Sequence, residues 1–215
     1  MPIEWQRHDH IHVPGYFFLD EPEYQPGDAL HKFLAEGQEP VCLTFGSMVN
    51  RQIERIQEIF VNALKNTRQR GIILSGWGKW GIPEGANEDL LFLESAPHEW
   101  LFPRCKLVIH HGGAGTTAAA LRSGRPSVIV PMAGDQPFWA RCVDQMGVGP
   151  HSIALKSLSL EKLEQVILAA DEAGFCEKAW KTGSGIRAED GCGAAVQIIE
   201  AHTALFGERS GSGKP

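Results

Sequence analysis

From Val41 onward the chain alternates short, wholly apolar runs with stretches of helical periodicity, and no other feature constrains the fold as strongly. The runs are VCLTF (41–45), GIILS (71–75), DLLFLES (89–95), KLVIHH (106–111) and PSVIVPM (126–132). Between them, Ile53, Ile56, Phe60, Ala63 and Leu64 recur at helical spacing, TTAAALRS ends at Gly124, and QPFWARCVDQM ends at Gly147. A strand that is apolar at every position is buried on both faces, so the pattern predicts a parallel sheet with helices above and below it. The expectation is a Rossmann-like three-layer αβα domain with a sheet of about six strands, the sixth near 152–155. In such sheets ligands sit beyond the carboxyl ends of the strands, which makes the residues following each strand the ones to read for chemistry.

The richest of these segments is HHGGAGTT, residues 110–117. Three glycines permit positive φ and close approach of a ligand. A helix starting at 114–116 presents unpaired amides and the positive end of its dipole, which is an anion site. Gly113, Ala114, Gly115, Thr116 and Thr117 are therefore candidates for holding a diphosphate. Adjacent His110 and His111 point to opposite sides of an extended chain, so one faces the ligand and the other is structural. Ser47 follows the first strand, at a place where a hydroxyl reaches phosphate or simply makes a turn. Asp135 and Gln136 follow the fifth strand, with the donors and acceptors that sugar hydroxyls require; taken alone, Asp135 is also an ordinary helix N-cap.

Two glycine motifs compete with this reading. GWGKWG (76–81) matches a dinucleotide fingerprint, but IPEGANED after it lacks helical periodicity and reads as a loop. GAGTTA (113–118) fits G-x-G-x-x-A between a strand and a helix, which keeps an NAD(P)-binding oxidoreductase domain as an alternative. Neither His110 nor His111 belongs to an HxxxH or HExxH pattern, and no metal is expected.

Twenty Lys and Arg against 26 Asp and Glu give a net charge of −6, which argues against nucleic-acid binding. Five cysteines at irregular spacings, with no CxxC pair, read as small apolar residues in a reducing compartment. With no signal-peptide core and no long apolar stretch, a cytoplasmic location is the expectation. Residues 1–40, rich in proline and histidine, read as a linker or arm ending in the short helix DALHKFLAEG. Residues 41–206 read as the binding domain and 207–215 as a flexible tail.

The block APHEWLFPRCKLVIHHGGAGTTAAALRSGRPSVIVPMAGDQPFWA (96–140) resembles the donor-binding signature of the UDP-glycosyltransferases of GT-B fold. The likeness is greatest to sterol glucosyltransferases and bacterial antibiotic or lipid glycosyltransferases. FGSM (45–48), GIILSGWG (71–78), IRAEDG (186–191) and GYFFLD (15–20) extend it over nearly the whole chain. The resemblance implies the C-terminal half of an inverting enzyme that transfers a sugar, expected to be glucose, from a UDP-sugar to an acceptor hydroxyl of a sterol, another lipid or a small molecule. It implies Ser47, His111 and 113–117 at the diphosphate, Ala96, Pro97 and His98 at the base, and Asp135 and Gln136 at the sugar. Where plant members carry a base-stacking tryptophan, this chain has Ser95. The catalytic base and acceptor pocket belong to an N-terminal domain or a separate subunit, so no catalytic residue is assigned here and the chain alone is expected to be inactive. Peripheral membrane association is an expectation for the full enzyme. A non-catalytic nucleotide-sugar binding module is the other alternative.

Overall fold

The computed structural model describes residues 10–19, 23–45, 53–76 and 87–211, with side chains up to residue 203 and excluding that of residue 53. The chain divides into two compact units, one of residues 21–184 and one formed by residues 1–20 with 185–215.

The larger unit is built on five parallel strands, β1 (Val41–Thr44), β2 (Gly71–Leu74), β3 (Leu90–Leu93), β4 (Leu107–His110) and β5 (Ser127–Ile129), in the order β3-β2-β1-β4-β5. Each strand alternates its side chains between two cores, as the pleat requires. Leu43, Ile73, Ile109 and Val128 face helices α2 (Ile53–Thr67) and α6 (Leu160–Ala169), meeting Phe60, Leu64, Leu163 and Ile167. Cys42, Ile72, Leu74 and Val108 face the opposite layer, where α1 (Asp28–Ala35), α3 (His98–Leu101) and α4 (Ala114–Ser123) contribute Leu30, Phe33, Leu101, Ala119 and Ala120. Helix against sheet against helix is the predicted three-layer arrangement.

The helices end where the sequence says they should. Gly124 after α4 and Gly147 after α5 (Gln136–Met146) adopt φ of 75° and 62°, the left-handed caps that glycine tolerates without a Cβ penalty. Helix α7 (Ala173–Arg187) approaches so closely that a Cβ on Gly183 would lie 2.7 Å from Gly124 Cα.

Two features differ from the sequence-based expectation. The sheet has five strands among the described residues, not six. The run near 152–155 makes one ladder-like bond, Ile153 N to Ile129 O at 3.0 Å, and then enters a tight turn at Leu155–Ser157. Pro150 cannot donate to a ladder, and the chain turns away at Leu155–Ser157 directly after that bond. Part of the segment read as an arm is core, since Leu30 and Phe33 of α1 are 2% and 8% exposed.

In the smaller unit, α8 (Gly191–Gly211) starts against the N-terminal arm, and a Cβ on Gly191 would lie 2.3 Å from Tyr16 O. About three turns further along α8 the His12 and His202 rings meet, with Nε2 atoms 3.1 Å apart. Among the described residues no helix is long and apolar enough to cross a membrane.

Candidate functional site

The strand order sets the site. From β1 the chain proceeds to β2 on one side, and from β4 to β5 on the other, so β1 and β4 flank a topological switch point. Crossovers that leave in opposite directions open a crevice beyond the carboxyl ends of these two strands. Thr44 and His110 are register partners at its floor. Ser47 lies outside the described residues, as does most of the 76–81 glycine motif.

After β4 the chain passes through His111, Gly112 and Gly113 into α4. Of the three glycines in this turn only Gly112 uses the left-handed region, at φ 91°. A Cβ there would lie 2.6 Å from Ile129 Cγ2 and 3.4 Å from Gln136 O, so the turn is pressed between β5 and the start of α5. Gly113 is extended (φ −62°, ψ 144°) and caps α4 through its carbonyl, which accepts the Thr117 amide at 2.9 Å. A Cβ on Gly113 would meet His111 Nε2 at 2.5 Å, whereas one on Gly115 would meet nothing within 4 Å. The space over Gly115 is open.

No side chain caps α4. The amides of Ala114, Gly115 and Thr116 have no partner one turn earlier in the helix, and they depend on something outside it. Ala114 and Gly115 are exposed and Thr116 is half-buried, while Thr117 is fully buried and its Oγ1 has no partner among the described residues. The surface open to a ligand is therefore the run from Gly113 to Thr116.

Around this helix start the structure gathers groups far apart in sequence. His111, 8% exposed, is held below the ordinary imidazole range mainly by burial; the Thr44 backbone and the Asp135 carboxylate oppose that shift, and His98 adds to it. His111 Nδ1 is buried without a partner. His98, at the start of α3 beyond β3, stacks on Phe102 with centroids 4.5 Å apart, and burial lowers it too, with Glu99 countering. Ala96 is buried and Pro97 sits at the N-cap of α3. The candidates for base, diphosphate and sugar thus come from the loops after β3, β4 and β5 and share one electrostatic neighbourhood.

At the start of α5, Asp135 occupies the N-cap position but its side chain does not cap. Its Oδ2 accepts Trp139 Nε1–H at 2.8 Å instead. Gln136 is 6% exposed, and its Oε1 accepts the amides of Met132 and Ala133 at 2.7 and 3.0 Å. That bond pair fixes the loop after β5 and leaves Nε2 as the group able to donate to a ligand. Sequence reading missed Thr44, whose backbone braces His111; nothing in its residue type marks that role. It also missed the Asp135–Trp139 bond, which the i,i+4 spacing could have revealed.

His110 is the structural histidine of the pair. It is fully buried, and burial, with His111 and His98 adding, lowers its pKa to about 3. Among the described residues, no group of three or more His, Cys, Asp or Glu converges as a metal site would require.

Residues 88–201 match the family described as erythromycin biosynthesis protein CIII-like, C-terminal domain. Among curated proteins, the chain is 41% identical over 202 residues to the sterol 3-beta-glucosyltransferase UGT80A2 of Arabidopsis thaliana, covering 94% of this chain and 31% of the relative. It is 39% identical over 203 residues to the O-mycaminosyltylonolide 6-deoxyallosyltransferase of Streptomyces fradiae, covering 93% and 46% respectively. The chain thus spans less than half of these relatives' length, 31% of one and 46% of the other. Among solved structures, the glycotransferase of kitacinnamycin superposes with a TM-score of 0.71 at 19% identity, over 87% of this chain and 48% of that one. The glycosyltransferase SnogD from Streptomyces nogalater gives 0.66 at 22% identity, over 90% and 52%. These likenesses establish the fold as the corresponding half of a GT-B glycosyltransferase.

Proposed function

The chain belongs to the erythromycin biosynthesis protein CIII-like C-terminal domains, a family of glycosyltransferase C-terminal domains, and from that premise we propose that it binds the donor sugar nucleotide of an inverting glycosyltransferase. The observation that carries the reading is the uncapped start of α4, open over Gly115, at the switch point of the sheet. Unpaired amides and a helix dipole suit a diphosphate. His98 on Phe102 offers a flat surface for a pyrimidine, and Asp135 and Gln136 lie on the side where the sugar would project. A UDP-sugar, with glucose as the sugar, is the donor proposed, in keeping with the sterol glucosyltransferase relatives; a lipid hydroxyl is the proposed acceptor.

In this reaction an acceptor hydroxyl loses its proton to a base on the acceptor-binding half. Its oxygen bonds to the anomeric carbon from the face opposite the diphosphate. The bond from that carbon to the diphosphate oxygen breaks, and negative charge grows on the leaving UDP. The α4 amides and the His111 imidazole lie where that charge develops, which is where fixed donors lower a barrier most. These groups meet the charge without a divalent cation, so EDTA is expected to leave UDP affinity unchanged.

Calorimetric titration with UDP, UDP-glucose, dTDP and NAD in parallel tests the proposal. Binding of UDP or UDP-glucose without heat from NAD is the expected result; NAD binding in place of UDP overturns it. The purified chain is expected to bind donor without transferring sugar, because the positioned base contributes about 100- to 10,000-fold. Robust transfer to any acceptor by these 215 residues would refute that part.

A further inference from the structure

We propose that His110 is a positioning residue that sets the shape of the α4 cradle through the Gly112 amide; the inference rests on the reading of that cradle as the diphosphate site. His110 ends β4 at 0% exposure, and its Nδ1 accepts the Gly112 N–H at 3.2 Å. A ring nitrogen that accepts carries no proton, so the neutral ring is the Nε2–H tautomer. Burial keeps it neutral.

The bond spans the point where the chain reverses. Gly112 stands at φ 91° between Ile129 and Gln136, and the next residue, Gly113, is the N-cap of α4. With the Gly112 amide drawn inward onto the imidazole, the following peptides are committed to the helix and their amides face the open space over Gly115. Without that acceptor the Gly112 amide is a buried donor that must find another partner by rotating the peptide. The rotation would carry the α4 amides with it.

The rest of the ring argues for the same role. Nε2 of His110 has no partner among the described residues, and Oγ of Ser127 and Oγ1 of Thr117 are likewise buried and unpartnered. An apolar side chain would fill this position without leaving an N–H unpaired. What the imidazole adds is its acceptor, aimed at one backbone amide.

The test compares UDP with uridine, since only UDP engages the cradle. Wild-type protein is expected to bind UDP more tightly than uridine; equal affinities would refute the cradle reading itself, separately from any role of His110. His110→Leu, which removes the acceptor, is expected to reduce the UDP-over-uridine ratio by about tenfold or more, the scale of one charge-assisted hydrogen bond, with uridine affinity unchanged. His110→Asn, whose Oδ1 falls near the position of Nδ1, is expected to restore most of the ratio. An unchanged ratio in the leucine variant, or equal losses in both, overturns the proposal. If the leucine variant does not fold, His110→Gln replaces it, because its acceptor lies too far out, and Asn must outperform Gln. Independently, ¹⁵N NMR of the wild-type imidazole must show the Nε2–H tautomer, and an Nδ1–H tautomer would overturn the inference.

Discussion

Three glycines in six residues make different demands, and single substitutions can separate them. Gly112→Ala forces a Cβ into a left-handed backbone and against Ile129. It is expected to destabilise the fold by roughly 1–3 kcal/mol, read as a lower Tm, and to weaken nucleotide binding with it. Gly115 lies within α4 with open space around it. Gly115→Ala should leave stability unchanged or raise it by up to about 1 kcal/mol, while Gly115→Val fills the cradle and should abolish UDP binding in a folded protein. Unchanged affinity in the valine variant would place the phosphate elsewhere. The histidines beside these glycines govern the response to acid. His110, at about 3 when folded against an ordinary 6.5, binds fewer protons native than unfolded. Its contribution to stability is full above pH 6.5 and is lost as pH falls from there toward 3, at up to about 1.4 kcal/mol per pH unit. His98 and His111 shift in the same direction. Urea unfolding at a series of pH values should show this slope, and His110→Asn should reduce it by close to one proton.

At the scale of elements, the start of α5 is tied down by one side chain. Gln136→Leu strands the amides of Met132 and Ala133, and at about 1–3 kcal/mol for each unsatisfied group it is expected to lower the Tm measurably. A melting curve superimposable on wild type would mean the loop finds other partners. These elements were legible in the sequence to unequal degrees. Short, largely apolar strands and helices closed by Gly124 and Gly147 announce themselves, because burial on two faces and left-handed caps each demand a particular residue type. The run near 152–155 did not become a strand, because strand formation is decided by a neighbour's free edge and by the proline before it. Leu30 and Phe33 were obscured by the prolines around α1, although their helical spacing points to one buried face. In the site, the glycine turn was readable because its chemistry is local. The approach of His98, His111 and Asp135 was implied only by the family resemblance of the 96–140 block, since it follows from the order β3-β2-β1-β4-β5, which residue chemistry alone does not encode.

For the whole molecule, the two units present different surfaces. In the smaller unit Phe17, Leu19, Val196 and Ile199 are 64%, 87%, 52% and 61% exposed. Replacing them together with polar residues is expected to leave the Tm nearly unchanged, as for substitutions made at exposed sites, and to reduce self-association seen by light scattering. A large fall in Tm would show that they are buried in solution. In the larger unit, the stretch that failed to become a strand has a consequence for how copies of the protein coexist. A parallel sheet ends in two rows of unpaired backbone groups, and such rows invite strands from other molecules to add on. Along β5, Ile153 already occupies the Ile129 carbonyl, and Gly149 lies so close that a Cβ would be 2.3 Å from Ser127 O. An incoming strand would have to peel residues 149–153 away before it could pair, so growth of the sheet from one chain into the next is blocked on that side by a segment that itself turns away at Leu155–Ser157.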